Sequence, residues 1–406
     1  MASIKVKFRP STVAGHEGSI YYQIIHERKA RQLLSPYRIY PDEWNERRAT
    51  VTSGNMDTRK PAILAIRENI LHDTERLNRI VRRLESSRAA YSADDLIEEF
   101  NRYTSECSFG NFMKNIIDTL RQNARIRTSE TYYAAQRSFS KFLSSRPSAS
   151  DGDIMLDRIT PELMEAYEAW QRSRGVAPNT ISFYTRILRA VYNRAVEFGI
   201  TEDRMPFRRV YTGVDKTVKR ALPIRAIKKI KTLDLTMIPR LDYARDMFLL
   251  SFYLRGMSFV DMAYLRKNDL RNGYVTYRRR KTGQQLVIKW TKEMQLILDK
   301  YPRNGSGYLL PIIKNGTTNE RCSYRNASYN INNSLKKIAE MAGVEIPLTL
   351  YVARHSWASA AKAKGIPVGV ISEGMGHDSE ATTRIYLASL DTSVVDRANA
   401  LILSSL

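Results

Sequence analysis

The apolar residues of this chain change their period near residue 60, and that change limits the folds open to it. Residues 3–9 alternate strictly, with Ile4, Val6 and Phe8 set against Lys5, Lys7 and Arg9. That is the pattern of a half-buried strand with a cationic face. Residues 18–26 and 31–39 read as two further strands, with Glu27-Arg28-Lys29-Ala30 as the turn between them. From Pro61 onward the spacing is helical: Ile63, Ile66, Ile70, Leu77, Ile80 and Leu84 recur at steps of about three, four and seven. Pro61 suits a first helical position, where its missing N–H has no partner to lose. Asp73 stands where the series calls for an apolar residue, which argues for a packing or connecting helix and against a coiled coil.

Helical signals then dominate. Residues 87–93 read as a hinge, and Ser92 is placed to cap a short helix through Phe100. Helices are expected over 109–125 and 128–143. A third is opened by Thr160-Pro161-Glu162-Leu163 and stopped at Gly175. A fourth runs from Pro178-Asn179-Thr180 to Phe198-Gly199. Strand character returns at 273–277 and 286–290, joined through Lys281-Thr282-Gly283. The expected fold class is therefore mainly α with small β-sheets (α+β). The expected division is a sheet domain with its long connecting helix (1–90), a linker (91–107), a helical domain (108–203), a basic linker (204–220) and a last domain (221–406).

Charge narrows the partner. Lys and Arg number 65 against 42 Asp and Glu, a net charge of +23. A surplus of that size on a chain able to fold favours a polyanion, most often nucleic acid. Residues 204–231 carry ten Lys/Arg and one acid, Asp215, a run that could track a phosphate backbone. The candidate DNA-binding residues are Lys5, Lys7 and Arg9 on the first strand, Arg125 and Arg127 in the helical module, and Arg208, Arg209, Lys216, Lys219 and Arg220 in the basic run. Each of these faces also fits a plain solvated surface.

Two cysteines, Cys107 and Cys322, form neither a disulfide framework nor a zinc site. Charge is threaded through the first ten residues with no apolar core of a signal peptide, and the apolar stretch 247–254 is too short to span a bilayer. The expectation is a cytoplasmic, nucleoid-associated protein with no membrane partner, no metal and no cofactor.

One constellation carries chemistry. Arg354-His355 is followed by Gly376-His377 and then by Tyr386, 31 residues after His355 (386 − 355) and nine after His377 (386 − 377). Breaking a phosphodiester without metal needs an in-line nucleophile, cations on the non-bridging oxygens and a proton donor for the leaving oxygen. Arginine binds phosphate bidentately and keeps its charge. A tyrosine ester stores the bond energy for religation. Arg255, Lys281, Arg354, His377 and Tyr386 supply these parts.

The set resembles the tyrosine recombinase, or phage-integrase, family. The resemblance covers nearly the whole chain, and Tyr-Val-Ala-Arg-His-Ser-Trp-Ala (351–358) with Arg-Gly-Met-Ser-Phe-Val-Asp (255–261) is most like mobile-element integrases of the Bacteroides type. It implies an N-terminal three-stranded arm-binding domain, a helical SAM-like core-binding domain and a tyrosine-recombinase catalytic domain. It also implies that Arg255 and Arg354 clamp the scissile phosphate, Lys281 is the general acid, His377 hydrogen-bonds a phosphate oxygen and Tyr386 forms a 3′-phosphotyrosyl link. The implied partners are double-stranded DNA at core and arm sites, a homotetramer exchanging strands through a Holliday junction, and host DNA-bending or directionality factors.

Two positions depart from the family pattern. Tyr351 stands where a histidine is usual, and tyrosine is a poor base at neutral pH (intrinsic pKa about 10). The acid expected three residues after the first arginine is Asp261, six after Arg255 (261 − 255). A DNA inversion recombinase, or a non-catalytic DNA-binding protein with the same fold, shares most of these features.

Overall fold

The computed structural model describes residues 2–53, 59–87, 90–146, 152–215, 220–301, 305–313, 319–387, 399–400 and 402–404. The chain divides into two compact units, Met1–Lys216 and Thr217–Leu406.

The first unit opens with an antiparallel sheet in the order β1 (Ser3–Arg9), β2 (Gly18–His26), β3 (Lys29–Ile39). Strand alternation does what the sequence pattern asks: Ile20, Tyr22 and Ile24 of β2 face the core, and Lys5, Lys7 and Arg9 of β1 are exposed. Glu27 (φ 47°) and Arg28 (φ 63°) make the two-residue turn between β2 and β3, and both take the positive φ that a tight hairpin with matching twist requires. A small two-stranded hairpin follows, β4 (Trp44–Asn45) and β5 (Thr50–Val51).

The long helix α1 (Lys60–Ser86) lies on the sheet and buries Ile63, Ile70, Leu77 and Ile80. Asp73 completes that buried stripe. Its carboxylate accepts from the hydroxyls of Tyr22 and Tyr37, each at 2.9 Å, and from Arg76 at 3.1 Å. A charge 7% exposed is tolerated inside a core when its lone pairs are filled this way. Burial, with Asp73 adding to it, pushes both phenols far above their ordinary range, so they donate at every ordinary pH.

Helix α2 (Ala93–Cys107) starts at a capping box, Ser92 with Asp95. It extends past the Phe100 end expected from sequence, and Leu96 and Phe100 pack against the sheet and α1. Four helices then enclose a second core: α3 (Phe109–Gln122), α4 (Ile126–Ser144), α5 (Pro161–Ser173) and α6 (Pro178–Glu197). Ser108 and Thr160 cap α3 and α5, and α5 and α6 each begin with proline. Phe207 and Val210, within the basic run, are buried in this core. The Tyr211 amide donates to Glu168 at 2.7 Å, so residues 207–211 pack against the bundle.

The second unit is helical around a small sheet. Its elements are α7 (Ile224–Thr232), α8 (Pro239–Tyr253), α9 (Phe259–Ala263), β6 (Leu270–Arg271), β7 (Tyr274–Arg278), β8 (Gln285–Lys289), α10 (Lys292–Asp299), α11 (Glu320–Met341), α12 (Leu350–Ala363), α13 (Val368–Met375) and α14 (Glu380–Leu387). The sheet is antiparallel in the order β6-β7-β8, with Tyr277 paired to Leu286 and Arg278 to Gln285. Helix α8 has buried residues all round, Leu241, Met247, Phe248 and Leu250 among them, and forms the centre of the core with α11 and α12. Among the described residues no helix is long and apolar enough to cross a membrane.

Candidate functional site

Four elements of the second unit meet where the sequence places its phosphoryl-transfer set: the end of α8, the start of α12, the β7–β8 tip and the corner after α13. Arg354 sits on the first turns of α12 and is 4% exposed. Its guanidinium donates to the carbonyl oxygens of Gly256 and Met375, each at 2.7 Å, and reaches His377 Nε2 at 3.0 Å.

Arg255 comes to this place through an unusual backbone. It leaves α8 with φ +58°, and Gly256 follows with φ +71°. A left-handed residue with a side chain costs about 1–2 kcal/mol and is common where a site is assembled. Gly256 is required here: a Cβ on it would lie 2.7 Å from Arg354 Cα. That close approach sets Arg255 beside Arg354 in the chain path. Arg255 Cδ also lies 3.8 Å from where a Cβ on Gly374 would be.

His377 is aimed by a helix ending. Gly376 closes α13 in the left-handed conformation, the His377 amide donates to Ser372 O at 3.0 Å, and the Gly376 amide donates to Glu373 O at 3.0 Å. This is the Schellman pattern. A Cβ on Gly376 would meet Leu286 Cδ1 at 2.9 Å, so the corner is also packed tightly on β8.

Arginine has no acceptor, so His377 Nε2 must accept from Arg354, which leaves the ring proton on Nδ1. That nitrogen lies 2.7 Å from Thr383 Oγ1 on α14, and it donates there. Burial, then the cations Arg354, Arg279 and Lys281, lower the His377 pKa to about 4. The ring is neutral at physiological pH.

The hairpin tip carries Lys281, which is exposed. Its neighbours are fixed. The Arg280 amide donates to Asp261 Oδ1 at 2.9 Å, and Asp261, 4% exposed, caps back on Ser258. Arg279 is buried and donates to Gly376 O. Tyr277 lies among these charges. Burial and Asp261 push its phenol far above the ordinary range, opposed by Arg354, Arg279 and Arg255.

The structure thus brings together Arg255, Arg354, His377 and the tip that bears Lys281. Tyr386 lies on α14, three residues after Thr383; its side chain falls outside the described residues. Tyr351, 55% exposed, starts α12 and meets His355 edge-on with ring centroids 4.8 Å apart. Sequence reasoning did not single out Gly256, Arg279 or Thr383. For Arg279 a signal existed: it continues the inward alternation of Val275 and Tyr277.

The other candidate contacts lie on surfaces. Lys5, Lys7, Arg9, Arg125, Arg127, Arg208 and Arg220 are exposed. Arg209 is also exposed and faces Glu162 and Glu165 at 3.7 and 3.5 Å. Lys216 and Lys219 lie outside the described residues.

Residues 108–210 match the phage integrase SAM-like domain, and residues 228–393 match the phage integrase family. Tyrosine recombinase XerA of Thermococcus kodakarensis is 24% identical over 261 residues, spanning 55% of this chain and 90% of that protein. Tyrosine recombinase XerC of Roseiflexus castenholzii is 26% identical over 287 residues, 68% of this chain and 86% of its own length. Among solved structures, a lambda integrase dimer bound to a COC′ core site superposes with a TM-score of 0.52 at 15% identity, covering 93% of this chain and 96% of that one. XerH bound to palindromic difH substrate, a post-cleavage complex, gives a TM-score of 0.54 at 16% identity, covering 79% and 94%.

Proposed function

We propose a reaction on the following premise: this chain belongs to the phage integrase family and is a site-specific recombinase of the tyrosine type. Its substrate is double-stranded DNA. The Tyr386 phenol gives up its proton to solvent as its oxygen attacks the scissile phosphorus, the bond from phosphorus to the 5′ oxygen breaks, and a 3′-phosphotyrosyl ester forms. Lys281 gives a proton to the departing 5′ oxygen, which leaves as a hydroxyl. The reverse attack by a 5′-hydroxyl from another strand releases tyrosine and rejoins the DNA, so no external energy source is needed.

Arg354 and Arg255 hold the non-bridging oxygens. In the free protein Arg354 donates to Gly256, Met375 and His377, which keeps the guanidinium in place before the phosphate arrives. His377 hydrogen-bonds a phosphate oxygen once its proton moves to Nε2. Thr383 makes that move inexpensive, because a hydroxyl accepts from Nδ1–H in one tautomer and donates to bare Nδ1 in the other.

The observation that carries this reading is the convergence of buried Arg354, neutral His377 and the Lys281 tip, with α14 joined to it through Thr383. The basic residues Lys5, Lys7, Arg9, Arg125, Arg127, Arg208, Arg209, Lys216, Lys219 and Arg220 contact the DNA backbone, and the first unit serves arm and core sites. Integration proceeds in a tetramer through a Holliday junction. The lambda integrase and XerH neighbours, seen with core-site and difH DNA, support DNA as the substrate.

The test is covalent capture on nicked duplexes with a randomised centre. The unmodified chain should form a 3′-linked adduct, and Tyr386→Phe should form none. An adduct with Tyr386→Phe would show that another residue is the nucleophile. Tight binding with no adduct from the unmodified chain would leave a DNA-binding protein without this chemistry.

A further inference from the structure

We infer that Arg279 is a positioning residue for strand cleavage: its buried guanidinium ties the tip that carries Lys281 to the corner that carries His377. This rests on the reading of Lys281 as the general acid. Arg278, Arg280 and Lys281 are exposed, whereas Arg279 between them is 8% exposed. Burying a cation is costly, and a surface arginine would avoid the cost. The bond made in return is a charge-assisted one to the carbonyl oxygen of Gly376, the residue just before His377.

The rest of the tip is organised around this bond. The Arg279 amide donates to Gln284 O at 2.8 Å and its carbonyl accepts from the Gly283 amide at 2.7 Å. Thr282 Oγ1 lies 3.5 Å from the same Gly376 oxygen, and Asp261 holds the Arg280 amide at 2.9 Å. Lys281 is therefore a flexible side chain on a fixed mount. The mount is anchored to α9 on one side and to the His377 corner on the other. Arg279, Arg354 and Lys281 also bring three cations to bear on His377. Such crowding is unfavourable in the free protein and is relieved by an arriving phosphodiester.

The reaction separates this role from a general loss of fold. When the 5′ bridging oxygen is replaced by sulfur, the leaving group is a thiolate, whose acid ionises near pH 8.5 and needs no proton donor. Duplexes captured by the unmodified chain are made in oxygen- and sulfur-linked forms. Arg279→Met should lose about a hundredfold in cleavage rate on the oxygen-linked duplex, the scale of a general acid's contribution. It should regain most of that loss on the sulfur-linked one, as Lys281→Ala should. Full activity of Arg279→Met on the oxygen-linked duplex overturns the inference, and so does an equal loss on both duplexes. If thermal melting shows that Arg279→Met does not fold, Arg279→Lys, which keeps a donor and a charge, is read in the same two-duplex comparison. Capture by the unmodified chain reports on the recombinase reading, rescue of Lys281→Ala reports on the general acid, and rescue of the Arg279 variant reports on positioning. The three therefore fail separately.

Discussion

Arg354 and His377 are joined by a hydrogen bond of 3.0 Å between guanidinium and Nε2, and its direction fixes the state of the ring. Because only the arginine can donate, the histidine is held neutral with its proton on the side of Thr383. One contact thus sets the charge and tautomer of His377, and through Thr383 it reaches the helix that bears Tyr386.

That neutrality predicts an acid-sensitive fold. The histidine's ordinary value of 6.5 falls to about 4 in the folded chain. Above the unfolded value both states are neutral, and the full stability is present. Between the two values the unfolded chain binds a proton that the folded chain refuses, so stability drops as pH falls. The loss amounts to roughly 3 kcal/mol by the lower end. Urea unfolding between pH 7 and 4 should fall more steeply for the unmodified protein than for His377→Gln, which has no proton to bind. Parallel curves would show that the ring is not the group responsible.

Gly256→Ala should separate close approach from backbone strain. The new methyl would sit 2.7 Å from Arg354 Cα, a backbone atom that cannot swing aside. Gly365 has nearly the same φ, +72°, but nothing within 4 Å of its Cβ position. Both alanine variants bear the left-handed cost of about 1–2 kcal/mol, and only the first displaces an arginine of the site. DNA cleavage should therefore collapse in Gly256→Ala and persist in Gly365→Ala, measured by covalent capture on the same duplex. Equal losses would mean that strain alone is at work.

The extent to which the sequence was legible follows from which physics is local. Strand alternation in 3–9, the caps at Ser92 and Thr160 and the prolines opening α5 and α6 depend on near neighbours, and each sits where its pattern says. The Arg354, His377 and Lys281 constellation was readable because its members have few other uses at those positions together. Thr383 carried no such signal: a threonine on a short helix is ordinary until His377 arrives from α13. Arg279 was hidden in a run of cations that reads as solvated, although its place in the β7 alternation pointed inward. Tyr351, which takes the place of a histidine in the sequence pattern, is exposed at the start of α12 and packs edge-on against His355.

Asp73 gives a prediction of the same non-local kind. Asp73→Ala removes the acceptor shared by Tyr22, Tyr37 and Arg76 and leaves two phenols and a guanidinium facing a void. Breaking a buried pair from one side costs about 3–5 kcal/mol. The lower end is expected, because Arg76 keeps Asp157 at 2.8 Å. Chemical denaturation should show that loss in the first unit, while a fragment beginning after Lys216 offers no such site and gives the comparison for the second.

Thr383 offers the sharpest test of how the site is coupled to the helix that bears Tyr386. Its side chain is fully buried, and its hydroxyl is the described partner of His377 Nδ1 at 2.7 Å. Thr383→Val keeps the shape and deletes the hydroxyl, so His377 Nδ1 loses a group that serves it in either tautomer. The buried Nδ1–H is then left without that acceptor, at about 1–3 kcal/mol, and the shift of the proton to Nε2 is no longer supported. Cleavage should fall by roughly tenfold or more, as about 1.4 kcal/mol in a barrier implies, with DNA affinity unchanged. Thr383→Ser, which restores the hydroxyl with less bulk, should recover most of the rate. If valine cleaves as fast as threonine, the hydroxyl has no part in the reaction and α14 is held by packing alone. If serine fails along with valine, the methyl group and not the hydrogen bond is what positions the helix.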